Sequence, residues 1–299
     1  MVKKYLSLIK FSHTIFAMPF ALIGFCLGVL STTSLSPGGH PWIFSRQYNW
    51  TSLGYKFILV ILCMISARSA AMAFNRYLDR AIDAKNPRTA IREIPSGVIS
   101  ARSALMFTIL SCLLFILATW FINPICFYLS PVALAVVLGY SYTKRFTSLC
   151  HLVLGLGLSL APIGAYLAVT GKFDMLPLFF SFSVICWVSG FDVIYSLQDE
   201  EFDRSQQLYS IPAWLGKGPA LHVSEFLHLL SAVAIIAAGF TGGFGIFYWI
   251  GAAIFTGMLV YQHAIVKPND LSKVNLAFMT ANGIASVIFS IFVITDLVF

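Results

Sequence analysis

FILVILCMISARSAAMAFNRYLDRAID, residues 57–83, decides how the rest of the chain is read. From Phe57 to Phe74 it carries a single charge, Arg68, and a run of that kind matches the hydrocarbon thickness of a bilayer when wound as a helix. Then Asn75, Asp79 and Asp83 follow at every fourth position, which on a helix is one face, and Arg68 stands one face-repeat earlier on the same stripe. An apolar span that ends in an acidic stripe needs a reason for the stripe.

The whole chain has the same character. Its 299 residues are 59% hydrophobic and only 10% charged, with a mean hydropathy of +0.85. Too few polar side chains exist to cover a globule in water, so the expectation is an all-α polytopic membrane protein in one domain, 1–299. A window of about 19 residues picks out spans near 12–30, 53–74, 104–122, 124–140, 151–169, 176–197, 224–240, 246–262 and 275–295. The third and fourth are divided only by FINPIC, which leaves eight or nine spans. The basic residues support nine: with the amino terminus inside, sixteen of the nineteen Lys and Arg fall on inner flanks and loops, and only Arg46, Lys56 and Lys172 fall outside. The net charge of +7 is thus a topology signal and does not point to nucleic acid. KKYLSLIK, before the first span, reads as the cytoplasmic flank of a retained helix. The six cysteines lie in or beside apolar spans with no C-x-x-C and read as packing residues. The expected location is a bacterial cytoplasmic membrane, with the amino terminus and motif loops on the cytoplasmic side.

Acids are scarce, and eight of the twelve sit in two segments. The second is DVIYSLQDEEFD, where Asp192, Asp199 and Asp203 stand at i, i+7 and i+11 of an expected helix. The pairs Asp79/Asp83 and Asp199/Asp203 share the D-x-x-x-D spacing, each follows the second helix of a run of four, and each leads into an Ile-Pro loop, REIPSG or YSIPAWLG. These matches suggest two four-helix pseudo-repeats plus a ninth helix, bundled around a central cavity, with the motif loops 75–103 and 198–217 forming a cap.

A carboxylate at bilayer depth costs at least about 2.5 to 3.5 kcal/mol when unpaired, so these acids must face water or cations. Carboxylates at i and i+4 suit Mg²⁺, which takes one or two of them, keeps waters and completes its octahedron with phosphate oxygens. Two facing pairs would hold a diphosphate between two Mg²⁺ ions, with Lys85, Arg88, Arg92, Lys144 and Arg145 neutralising the remaining charge. The bland alternative is that the acids merely pair with loop arginines at the membrane surface.

NRYLDRAID, YSYTKR (140–145) and DVIYSLQDEEFD together resemble the signatures of the UbiA superfamily of intramembrane aromatic prenyltransferases. NPRTAIREIPSG and IKFSHTIFAMPFALIG are similar to its 4-hydroxybenzoate polyprenyltransferase-like branch, which serves ubiquinone and menaquinone synthesis. The resemblance implies a nine-helix bundle whose cavity opens to the bilayer, Mg²⁺ as cofactor, and transfer of a polyprenyl group from its diphosphate to an aromatic acid. It implies metal binding by Asn75, Asp79, Asp83, Asp199 and Asp203, and brings Tyr140 with Lys144 into the diphosphate site. Arg76 departs from the pattern, since many relatives carry Asp there, and is left out of the ligand set. Breaking the allylic C–O bond loads charge onto the leaving group, which Lys144 and its neighbours would neutralise. Asp192, about two turns deeper than its metal pair, is the expected proton acceptor. Arg68 would grip the acceptor's carboxylate with its guanidinium fork, and His13 would line the same mouth. The rivals are a transporter with two acidic ion gates and a prenyltransferase for a different acceptor. A CDP-alcohol phosphatidyltransferase is disfavoured, because its D-G element is absent and its acids would all lie in one segment.

Overall fold

A computed structural model describes residues 2–9, 16–32 and 49–299. The chain runs through α1 (Val2–Leu8), α2 (Met18–Ser31), α3 (Trp50–Asp83), α4 (Ala101–Ile122), α5 (Pro124–Thr143), α6 (Cys150–Thr170) and α7 (Met175–Ser196). A 3₁₀ turn (Leu197–Asp199) then leads into α8 (Glu200–Ser205), α9 (Ile211–Leu215), α10 (Lys217–Gly242) and α11 (Ile246–Ile265), and a π turn (Leu276–Ala281) opens α12 (Asn282–Val298). Among the described residues there is no strand beyond one isolated bridge, Lys267 with Asp270.

Among the described residues seven helical stretches are long and apolar enough to cross a membrane: α3, α4, α5, α6, Met175–Ser205, α10 and Leu276–Val298. They coincide with seven of the nine expected spans. The other two expected spans coincide with α2, described over 14 residues, and with α11, whose last turns carry Tyr261, Gln262 and His263. Apolar side chains point outward along the bundle, as at Leu110, Leu117 and Trp120 on α4, each more than half exposed. Lipid is the solvent for such a face.

Helices adjacent in sequence pack together, and α2 closes the arrangement by lying against both α6 and α12. The α2–α6 contact is close because Gly24 has no side chain: a Cβ there would stand 2.0 Å from the Pro162 carbonyl oxygen. The two halves are filled differently. Phe20, Phe180, Trp187, Phe255 and Phe289 form a closed aromatic core between α2, α7, α11 and α12, whereas α3 to α6 enclose a hollow.

Two irregular turns shape the end of the bundle where the motifs lie. The expected stripe of Asp192, Asp199 and Asp203 assumed one continuous helix, but the backbone tightens into 3₁₀ geometry at Leu197–Asp199. The π turn exposes backbone carbonyls, and Asn282 Nδ2 donates to those of Ala277 and Phe278, both at 3.1 Å. Trp187 Nε1 and Gln262 Nε2 hold the Asn282 Oδ1 at 2.7 and 2.9 Å. The locked turn sets the Phe278 ring 4.2 Å from that of Tyr195.

Candidate active site

Helix α3 has 34 residues and is therefore about 51 Å long, well beyond a hydrocarbon core of about 30 Å. Its surplus carries Asn75, Asp79 and Asp83 past the apolar zone to the end where α5 and α7 stop and α6 starts. There a cavity of about 590 Å³ is lined by all five expected metal ligands, by Arg88, Arg92, Tyr140, Lys144 and Arg145, and by Arg68 and Asp192. Lys85 is not in its wall: the residue is exposed and its Nζ lies 3.4 Å from Gln206 Oε1. His13 lies outside the described residues.

Each motif carboxylate faces one basic partner. Arg145 Nη2 donates to Asp79 Oδ1 at 2.8 Å, and Arg92 Nη1 to Asp83 Oδ1 at 2.7 Å. Lys144 Nζ lies 2.7 Å from Asp203 Oδ1. Arg88 forks onto Asp199, Nε to Oδ1 at 3.0 Å and Nη2 to Oδ2, while its Nη1 donates to the Tyr195 hydroxyl at 2.9 Å. Burial draws the Lys144 ammonium down, but the charge and hydrogen bond of Asp203 more than offset it and leave the group above its ordinary value. The two connections also meet directly: Asn86 Nδ2 donates to Asp199 Oδ1 at 3.1 Å, and Asn86 Oδ1 accepts the Arg88 N–H at 2.9 Å.

The polar atoms left over are informative. Asp83 Oδ2 is buried without a hydrogen-bond partner, and Asn75 Nδ2 reaches Asp79 Oδ2 at 3.0 Å, so one edge of α3 presents oxygens with lone pairs to spare. Among the described residues no three His, Cys, Asp or Glu side chains converge into a full metal cage. Paired carboxylates with room for phosphate oxygens still suit Mg²⁺, which rarely uses an all-protein cage. Two guanidiniums, Arg68 and Arg76, have buried Nε atoms with no hydrogen-bond partner. Arg76, which sequence reasoning set aside, is only 5% exposed and stands in the cavity wall.

A second cavity of about 370 Å³ runs between α3, α4, α5 and α6 and is lined almost wholly by aliphatic and aromatic side chains. It shares Arg68, Met72, Tyr140, Leu154 and Leu158 with the charged cavity. A charged chamber thus opens onto a greasy one, with a buried arginine at the junction.

Sequence reasoning missed His151, at the start of α6, whose Nδ1 lies 2.6 Å from Asp192 Oδ2. A lone imidazole in the first turn of an apolar span was the available signal, but its partner is 41 residues away. It also missed Asn86 and Phe278, which line the same cavity.

Such an arrangement defines a membrane-embedded protein for amphiphiles, with a place for an anionic head beside a place for an apolar tail. The chain belongs to the UbiA prenyltransferase family, whose model matches residues 17–284. It is 29% identical over 224 residues to the 4-hydroxybenzoate octaprenyltransferase of Tolumonas auensis, covering 75% of this chain and 78% of the relative. With the enzyme of that name from Alkalilimnicola ehrlichii it shares 28% over 248 residues, 83% of each chain. Among solved structures, the apo form of a UbiA homologue from Aeropyrum pernix K1 superposes with a TM-score of 0.76 at 28% identity, over 95% of this chain and 96% of that one. A UbiA homologue from Archaeoglobus fulgidus bound to GPP and Mg²⁺ has the same fold, with a TM-score of 0.69 at 16% identity over 98% and 99% of the two chains.

Proposed function

We propose that this prenyltransferase moves a polyprenyl group from its diphosphate onto an aromatic acid of the 4-hydroxybenzoate or dihydroxynaphthoate type, releasing diphosphate, as a step of quinone synthesis. The observation that carries the reading is the junction of the two cavities: four motif carboxylates, each paired with a cation, around the polar one, an apolar chamber leading away, and Arg68 where they meet. The diphosphate lies in the first and the isoprenyl chain enters the second. Asn75, Asp79 and Asp83 on one side and Asp199 and Asp203 on the other hold Mg²⁺, two ions in this reading, which would draw charge from the departing diphosphate. Arg88, Arg92, Lys144 and Arg145 then exchange carboxylate oxygens for phosphate oxygens, so charge is held before and during the reaction without a large rearrangement. Tyr140 lines both cavities at the reacting end of the substrate. Arg68, with no protein partner on Nε, binds the acceptor's carboxylate. Asp192 takes the proton lost by the ring.

The same reading counts nine spans, adding α2 and α11 to the seven, with the cavity on the cytoplasmic side of a bacterial inner membrane. Purified protein given an isoprenyl diphosphate, an aromatic acid and Mg²⁺ should release diphosphate and yield a prenylated acid by mass, and EDTA should stop both. Diphosphate-independent ion flux through reconstituted vesicles, with no prenylated product, would replace this reading with the transporter.

A further inference from the structure

We propose that His151 is a positioning residue that keeps the Asp192 carboxylate aimed at the acceptor ring, and that the α9 strap fixes the imidazole in the one tautomer able to do so. This rests on the acceptor chemistry proposed above. His151 is 2% exposed, with Nδ1 2.6 Å from Asp192 Oδ2. On the other side of the ring the Ile211 backbone N–H donates to Nε2 at 3.3 Å. A backbone N–H can only donate, so Nε2 carries the lone pair and Nδ1 carries the proton, which it gives to Asp192. Ile211 opens α9, and its N–H is one of the donors that a helix start leaves without an intrahelical partner.

Two further features hold the pair. Ser189 Oγ donates to the His151 carbonyl at 3.1 Å, and α6 approaches α7 closely at Gly155, where a Cβ would stand 2.5 Å from Ile185 O and Ser189 Oγ. The strap itself is tied down by the Tyr209 N–H, which donates to Lys144 O at 2.8 Å. Asp192 lines the charged cavity and keeps 23% of its side chain accessible, against 3% for His151. The carboxylate thus faces the substrate and the imidazole stands behind it.

In the step itself, a ring carbon beside the acceptor's hydroxyl bonds to isoprenyl C1 as the C1–O bond breaks and diphosphate leaves with the electron pair. The ring cation then loses the proton of the attacked carbon to the Asp192 carboxylate, the C–H pair restores aromaticity, and the proton later passes to water. His151 keeps its own proton throughout. Its hydrogen bond holds one carboxylate oxygen of Asp192 in place and leaves the other turned toward the ring.

The test uses 4-hydroxybenzoate deuterated at both carbons beside the hydroxyl. In the wild type C–O cleavage should limit the rate, and the labelled and unlabelled acids should react alike. Asp192→Asn should lower kcat by ~10²-fold or more, His151→Ala by roughly 10-fold, and in both the deuterated acid should react more slowly, because proton loss has become limiting. His151→Gln, whose amide can donate to Asp192 and accept from Ile211, should recover most of the rate and erase the isotope effect. The proposal is overturned if both variants lose rate without an isotope effect, or if His151→Gln is as impaired as His151→Ala while equally well folded. Should His151→Ala fail to fold, the Asp192→Asn isotope effect and the His151→Gln rate decide alone. A second readout does not depend on turnover: ¹⁵N-histidine spectra of the wild type should contain a neutral Nδ1–H imidazole that disappears in His151→Gln. An imidazolium or Nε2–H form at His151 overturns the arrangement even if another acceptor is used, whereas failure to prenylate any aromatic acid counts against the proposed function alone.

Discussion

At Asp83 one carboxylate oxygen takes the Arg92 guanidinium and the other is buried with no partner. That asymmetry is costly in a protein that is only folded, because an unpaired buried acceptor loses about 1 to 3 kcal/mol, and useful in one that binds a cation. Replacing any of Asp79, Asp83, Asp199 or Asp203 by Asn keeps shape and removes charge. Each change should lower prenyl transfer by at least ~10²-fold in protein that still inserts and elutes as a single species. Activity that survives EDTA, or survives in two of these variants, would remove the metal model. The cations invite a different measurement. Arg88→Gln or Arg145→Gln frees a carboxylate as it removes a phosphate contact, so the loss should fall on the KM for the diphosphate substrate and on kcat. The KM for the acid should stay close to that of the wild type. Kinetics with only the acid's KM raised would move these residues to the acceptor side.

Elements differ in how much of themselves they declare in sequence. The apolar run of α3 and its four-residue acidic spacing were legible, because both are local patterns, although the expected motif loop 75–103 starts inside a helix that runs on to Asp83. The 3₁₀ turn at Leu197–Asp199 and the π turn at Leu276–Ala281 were not: neither has a proline or glycine to announce it, and each is a response to packing. The pairings across the site share this opacity. Sequence reading assigned the basic loops to the diphosphate and held their pairing with the acids as the bland alternative, but Arg145 finds Asp79 over 66 residues and Arg88 finds Asp199 over 111, distances that no local periodicity encodes. The π turn supplies a prediction at its own scale. Asn282 is fully buried and joins Trp187, Gln262 and the carbonyls of Ala277 and Phe278. Asn282→Leu leaves those groups unpaired, so it should cost roughly 1 to 3 kcal/mol, read as a lowered midpoint of thermal unfolding in detergent. By letting Phe278 swing away from Tyr195 it should also weaken the isoprenyl substrate. An unchanged midpoint would show that the π turn needs no side-chain support.

At the scale of the whole molecule, the chain is asymmetric about its bundle: aromatic packing closes one half, and the other half is hollow next to the charged end. In the proposed reaction a tail would leave through the α3–α6 side while the head stays fixed, and the reacting carbon would be held where the cavities overlap. Arg68, Met72, Tyr140, Leu154 and Leu158 occupy that overlap, so in the proposed reaction they would set the room available to the acceptor. Both candidate acids carry a carboxylate for Arg68 and a ring activated by hydroxyl. Charge cannot separate them; width must. Packing in an apolar pocket discriminates by only about 1 to 3 kcal/mol per methylene, so purified enzyme offered both acids at equal concentration with one long-chain diphosphate should prenylate both, in unequal yield. Leu158→Ala, which widens the overlap, should shift the product ratio toward the bicyclic acid, and Arg68→Met should depress both products together by removing the shared carboxylate partner. Products identified by mass decide the matter: transfer to neither acid, with prenylation of a carboxylate-free phenol that Arg68→Met leaves untouched, would overturn the acceptor class and the role of Arg68 at once.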